Sequence, residues 1–145
     1  FLMTDISLCA LAVAREHAEH HGVADRVLVC GMDFAAALRP GSVDLAVCNP
    51  PYISPAEYAT LSREVAAYEP KIALDGGRDG LQAPLAAVES IAPCLRPGGY
   101  LILEVGSQQA KAVARGLTEQ DTLWSVVRVV GDLRGDDRCV VARKL

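Results

Sequence analysis

Strand-length apolar runs alternate with helical stripes along most of this sequence, and that alternation admits few architectures other than an α/β sheet. Val27 to Cys30 is one continuous apolar run, and Val43 to Cys48 is another, interrupted only by Asp44. Such runs suit strands covered on both faces, as in a parallel sheet. Ahead of them, Ser7 is placed to cap a helix carrying Leu8, Leu11, Ala14 and Ala18 at three- and four-residue steps. His20 and His21 fall in its last turn and Gly22 just beyond, which marks its end.

The same rhythm returns later. Leu81, Leu85, Val88, Ala92 and Leu95 step by four, three, four and three, which is one helical face following Gly80. Pro84 suits the first turn of that helix, whereas Pro93 removes a donor and predicts a bend or an early end. Arg96-Pro97-Gly98-Gly99 reads as a turn and Tyr100 to Val105 as a strand. Ser107 is expected to cap a helix reaching about Leu117. Trp124 to Val130 and Cys139 to Ala142 read as two strands joined by the polar turn Gly131 to Arg138. The order predicts an open α/β sheet with helices on both faces. Phe1-Leu2-Met3 reads as part of a strand already under way.

Length and charge narrow the function classes. A chain of 145 residues fits one domain, 1–145, and 51% apolar content can bury a core. The net charge of −4 and pI near 5.3 speak against general nucleic-acid avidity, so no direct nucleic-acid binding is expected. No apolar run approaches the roughly 20 residues that span a bilayer, so no membrane association is expected. The five cysteines are odd in number and lack C-x-x-C spacing, which predicts a reducing, cytoplasmic setting without disulfides. Within apolar runs, those cysteines are expected as small buried side chains. His17, His20 and His21 share one polar helix end without acidic or thiol partners in register, so no metal site is expected.

Asn49 to Gly80 breaks the rhythm with Pro50, Pro51, Pro55, Pro70, Gly76, Gly77 and Gly80. Long irregular connections in compact domains are usually functional, and in open α/β sheets ligands sit beyond the C-terminal strand ends. This connection starts with Asn49-Pro50-Pro51-Tyr52, directly after a strand. Each proline fixes its own φ and biases the residue before it towards extended backbone. Asn49 offers a side-chain acceptor and the Pro50 carbonyl a second, a match for the two hydrogens of a planar NH2 group. The Tyr52 ring can lie against the flat face of that group. An amide or aromatic amine is a poor nucleophile because its lone pair is delocalised. Holding both hydrogens while a methyl electrophile lies in line orients the lone pair and stabilises charge developing on nitrogen.

The stretch resembles the Asn-Pro-Pro-Tyr motif of class I methyltransferases that act on planar nitrogens. Further matches resemble the PrmC/HemK family of release factor glutamine N5-methyltransferases. They are Asn49 to Ile53, Tyr68-Glu69-Pro70, Ala73-Leu74, Gly76-Gly77-x-Asp79-Gly80-Leu81, Leu95-x-Pro97-Gly98-Gly99, Leu103-Glu104-x-Gly106 and Asp132-Leu133-x-Gly135-x-Asp137-Arg138. The resemblance implies an α/β, Rossmann-like class I S-adenosylmethionine-dependent methyltransferase sheet. It implies S-adenosyl-L-methionine as cofactor and a peptide-chain release factor as protein substrate, methylated on the glutamine amide of its Gly-Gly-Gln motif. Carried over by position, Asp5 would hold the ribose hydroxyls and Asp33-Phe34 the adenine. Asn49 and Pro50 would accept from the substrate amide and also, for Asn49, border the cofactor, with Pro51 and Tyr52 beside them.

The sequence lacks the family's glycine-rich Asp/Glu-x-Gly-x-Gly-x-Gly loop and helical N-terminal domain, so the resemblance predicts the C-terminal catalytic portion, its sheet truncated at the first strand. Two other functions use the same residues or fewer: N6-adenine or N4-cytosine methylation of nucleic acid, and a non-catalytic remnant. Glu64 and Glu69 lie near the motif and are expected either to face substrate or to be surface charges. Glu104 is expected to support the site, and Arg138 to be structural.

Overall fold

In the computed structural model, residues 1–119 and 123–145 are described. They form two compact units, Phe1–Leu38 and Arg39–Leu145.

The first unit is a βαβ segment. Strand β1 (Leu2–Asp5) runs parallel to β2 (Leu28–Gly31), in a register that sets Leu2 against Leu28 and Asp5 against Gly31. Helix α1 (Leu8–His20) connects them, followed by one 3-10 turn at Ala24–Arg26. Its entry is the expected one, with Ser7 Oγ accepting from Ala10 N–H at 3.2 Å. Gly22, at φ +64°, ends it in the left-handed backbone that glycine adopts without penalty. Only part of the predicted stripe is buried. Leu11 and Ala18 face the strands, while Leu8 is exposed.

The second unit holds a four-stranded mixed sheet. Its strands are β3 (Val43–Cys48), β4 (Leu95–Glu104), β5 (Trp124–Gly131) and β6 (Asp137–Lys144), in the spatial order β3-β4-β6-β5. β3 and β4 are parallel, and the other two pairings are antiparallel. The connection after β3 is less irregular than its prolines and glycines predict. It contains the short helices α2 (Pro55–Tyr58) and α3 (Arg63–Tyr68) and a 3-10 turn at Lys71–Ala73. Ser54 and Ser62 start the two helices by accepting from Glu57 N–H and Val65 N–H, side-chain caps that operate regardless of distant contacts.

Helices α4 (Gln82–Ile91) and α5 (Ala110–Glu119) cover the middle of this sheet. Leu95, Leu101, Leu103, Val105, Val113 and Val140 are fully buried in this unit. The helix α4 ends before Pro93 as expected, but its buried face is Pro84, Ala87, Val88 and Ile91, with Leu85 exposed. Leu85 shares the helical period of the stripe but lies outside the face that the packing covers. The predicted turn at Arg96–Gly99 lies within β4 as an irregularity, with Gly98 at φ +77°. Ser107 does not cap α5, which starts three residues later.

The expectation of strands covered on both faces fails for β2 and β3. Leu28 is 72% exposed, Leu45 52% and Val47 71%. Among the described residues of the second unit α4 packs on β4 and α5 on β5 and β6, and neither packs comparably on β3. Among the described residues β1 pairs only with β2 and β3 only with β4, leaving each with one open edge. The cysteines depart from expectation too. Cys94 is buried, Cys48 and Cys139 are half-buried, and Cys9 and Cys30 are exposed, with none of the five in a disulfide.

Candidate active site

Asn49 emerges where β3 ends, one residue after Cys48 pairs with Leu103 of the parallel β4. Asn49 is exposed, Pro50 is buried, and Pro51 and Tyr52 are half-buried. Among the described residues neither the Asn49 side chain nor the Pro50 carbonyl has a protein hydrogen-bond partner. Both predicted acceptors are therefore present and uncommitted, at the C-terminal edge where α/β sheets place ligands.

The tetrapeptide is anchored at its far end. Tyr52 Oη donates to Glu104 Oε1 at 3.1 Å, so the last residue of β4 holds the ring. Burial first, then the hydrogen bond and negative charge of Glu104, push the phenol above its ordinary range, while Arg138 works in the opposite direction. Tyr52 is thus a neutral donor. The ring that was expected to lie on the substrate's flat face is held by its hydroxyl from the neighbouring strand. Glu104, expected to support the site, is the acceptor for the Tyr52 hydroxyl.

Two backbone contacts and the Gln109 side chain fix the peptide groups that follow. Ile53 N–H donates to the Leu74 carbonyl at 2.9 Å, and Gly76 N–H to the Ile53 carbonyl at 2.9 Å. Gln109 Nε2 donates to the Tyr52 carbonyl at 2.8 Å, and its Oε1 accepts from Gly106 N–H at 3.0 Å. The glycines of the Gly-Gly-x-Asp-Gly stretch leave the space for this approach. A Cβ on Gly76 would lie 2.6 Å from Tyr52 Cα, and one on Gly80 would strike Gln109 Nε2 and lie 2.5 Å from the Tyr52 carbonyl oxygen. Asp75 and Asp79 shape the same turn by accepting from Gly77 N–H and Leu81 N–H.

Gln109 was not singled out in the sequence. The available signal was its phase, since Gln109, Val113 and Leu117 recur every four residues and all three are buried. A glutamine on an apolar stripe needs internal partners for both ends of its amide.

Within the first unit, Asp5 closes β1 and Asp33 follows β2, so the parallel pairing brings both acids to one strand end. Met32 N–H donates to the Asp5 carbonyl at 3.1 Å, tying the two segments together. Asp5 Oδ1 accepts from Ser7 N–H at 2.7 Å, which is the helix-entry contact open to an acid at this position. Asp33 is exposed and Phe34 half-buried, with Phe34 at φ +47°. A non-glycine residue rarely adopts that backbone, and such conformations concentrate at ligand sites. Two carboxylates and a half-buried ring at one strand end fit hydroxyl, amine and aromatic groups of a nucleoside.

The remaining candidates are exposed, apart from Arg138, whose guanidinium acts on the Tyr52 hydroxyl. Glu64 lies in the first turn of α3 and Glu69 at its C-terminal cap, both exposed. Arg138 has its carbonyl bonded by Val105 N–H at 3.0 Å and its guanidinium 3.7 Å from Asp132. His17, His20 and His21 are exposed at the end of α1.

Comparison with known proteins bears out the resemblance read from the motifs. The chain is 45% identical over 144 residues to a release factor glutamine methyltransferase of Nitratidesulfovibrio vulgaris, covering 99% of this chain and 49% of that protein. It is 48% identical over 142 residues to the protein of the same description from Cereibacter sphaeroides, covering 98% and 50%. The chain thus spans about half the length of the curated relatives it matches. No protein-family model matches it. Among solved structures it resembles a SAM-dependent O-methyltransferase from Thermotoga maritima, with TM-score 0.68 and 11% identity, over 99% of this chain and 49% of that one. It also resembles a Streptococcus mutans protein solved with SAH, with TM-score 0.58 and 18% identity, over 99% and 75%. The α/β fold is the Rossmann-like fold of S-adenosylmethionine-dependent methyltransferases. No helix among the described residues is long and apolar enough to cross a membrane.

Proposed function

We propose that this chain carries the methyl-transferring part of a release factor glutamine methyltransferase, acting on the side-chain amide of the Gly-Gly-Gln glutamine. The observation that carries the reading is the pair of uncommitted acceptors, Asn49 and the Pro50 carbonyl, on a tetrapeptide braced by Glu104 and Gln109. The similarity to release factor glutamine methyltransferases across nearly the whole chain supports the choice of substrate.

Asn49 Oδ1 and the Pro50 carbonyl oxygen each accept one hydrogen of the substrate NH2, which turns the amide plane and exposes the nitrogen lone pair along one direction. As the new N–C bond forms, positive charge grows on nitrogen, and both acceptors interact more strongly with its hydrogens than in the ground state. That difference lowers the barrier. The nitrogen proton becomes acidic only as the N–C bond forms and the methyl's bond to the donor sulfur breaks, so no strong base has to act first and the proton passes to water. Pro50, buried and fixed in φ, holds its carbonyl without the freedom an ordinary loop residue would have. S-adenosyl-L-methionine, when bound, supplies an electrophilic methyl group on a sulfonium. Asp5, Asp33 and Phe34 are the residues that would hold its nucleoside, through hydroxyl, amine and ring contacts in turn.

The test is methyl transfer from labelled S-adenosylmethionine by the protein expressed from its whole coding sequence. Label is expected on a release factor and lost when the Gly-Gly-Gln glutamine is replaced. Label on DNA or RNA with none on the release factor would overturn the reading in favour of nucleic-acid amine methylation. Transfer to neither would leave the chain a non-catalytic module.

A further inference from the structure

Gln109 touches neither acceptor, yet it occupies the junction from which both are aimed. Its side chain is buried, 9% exposed, and spans from the loop after β4 to the tetrapeptide, 57 residues earlier in sequence. Gly106 N–H points at Oε1, so the amide has one orientation that satisfies both of its contacts, and that orientation presents Nε2 to the Tyr52 carbonyl. The opposite flip would set an oxygen against a carbonyl and an amine against an N–H. The clamp is therefore directional as well as close.

We infer that Gln109 is a positioning residue for methyl transfer, setting the direction of the Pro50 carbonyl and the Asn49 amide by holding the peptide plane that follows Tyr52. At one end of the tetrapeptide, Cys48 is paired to Leu103 in the sheet. At the other, Gln109 fixes the Tyr52 carbonyl. Between these ends, Pro50 and Pro51 have locked φ angles, so few soft torsions remain to be decided. The clamp removes the last of that freedom on the carbonyl side, and the Glu104 bond restrains the ring on the other. The glycines at 76, 80 and 106 admit the glutamine and the loop to this distance. At Gly106 a Cβ would lie 3.1 Å from Gln109 Oε1. Misaiming an acceptor by about 1 Å costs on the order of a hundredfold in rate, so a residue without substrate contact can matter as much as one with it.

The inference rests on the amide-methylation reading, and its test separates the two. Gln109→Glu keeps the acceptor for Gly106 N–H and replaces the donor facing Tyr52, while Gln109→Leu removes both. In the protein expressed from its whole coding sequence, each is expected to lower kcat for release-factor methylation by about ten- to a hundredfold. The KM for the release factor and the cofactor Kd should stay within about twofold, the split expected when aim rather than binding is lost. In an Asn49→Ala background the further loss from Gln109→Leu should shrink to about threefold or less, because both changes disable one device. Full additivity, or an unchanged kcat, would overturn the inference.

A second arm needs no substrate. In Gln109→Glu, amide hydrogen exchange at Ile53 and Gly76 should accelerate by about tenfold while Val113 in α5 keeps its protection. Uniform acceleration through α5 and β4, or none at Ile53, would show that Gln109 serves only packing or nothing. If the wild-type protein methylates no release factor, the substrate reading falls and the exchange arm still decides the clamp.

Discussion

Tyr52 Oη and Glu104 Oε1 meet at 3.1 Å across 52 residues of sequence, joining the loop after β3 to the last residue of β4. The contact makes the phenol a donor and gives the half-buried carboxylate a partner at the edge of the sheet. Removing the hydroxyl should therefore cost more than an exposed hydrogen bond would.

Tyr52→Phe is expected to destabilise the protein by about 1 kcal/mol, the usual net value of such a bond. A thermal melt of the two proteins side by side measures this. The pH dependence follows from the direction of the shift. Because the folded-state phenol ionises above its ordinary value, the advantage of the folded state is intact below about pH 10 and is lost as pH rises through the raised value. The gap between wild type and Tyr52→Phe should narrow in alkali. A gap that widens above pH 10 would contradict the assignment.

Asn49→Ala is expected to leave cofactor affinity nearly unchanged and to reduce methyl transfer by roughly 10²–10³-fold, by analogy with the removal of one oxyanion donor. Single-turnover transfer to a release factor is the measurement, since it isolates the chemical step. An unchanged rate would remove Asn49 from the site.

Cys48 lies immediately before the motif, and burial pushes its thiol up to about 11. It should stay a neutral thiol at pH 8 and resist alkylation, whereas exposed Cys9 and Cys30 react at least about tenfold faster. Mass spectrometry after a timed iodoacetamide pulse reads all three. The shift also predicts that stability declines as pH rises from about 9 towards 11. An unfolded chain gives up the proton earlier than the folded one and so gains from alkali first.

Residues 1–145 expressed alone should aggregate or melt without a sharp transition. β1 and β3 each present an open edge among the described residues, and Leu28, Leu45 and Val47 are exposed on or beside those edges. The 145-residue sequence has no glycine-rich Asp/Glu-x-Gly-x-Gly-x-Gly loop, so this piece should bind S-adenosylmethionine weakly or not at all. Calorimetry decides, and a cooperative melt with micromolar cofactor affinity would refute the prediction.

What the sequence determined by itself was local. The bounds of β3, the Ser7 cap, the stop before Pro93 and the hairpin of β5 and β6 follow from runs, caps and φ restrictions written within a few residues. The rigid Asn49–Tyr52 tetrapeptide was legible for the same reason, since two consecutive prolines after a strand leave the chain little choice. The tertiary structure decided which of several residues at the right period would be covered, burying Ile91 and leaving Leu85 and Val47 exposed. It also decided that Gln109 and Glu104 would converge on Tyr52. Periodicity is a property of one segment, whereas a hydrogen bond between residues more than fifty positions apart depends on sheet order and strand register, which exist only once the segments have packed.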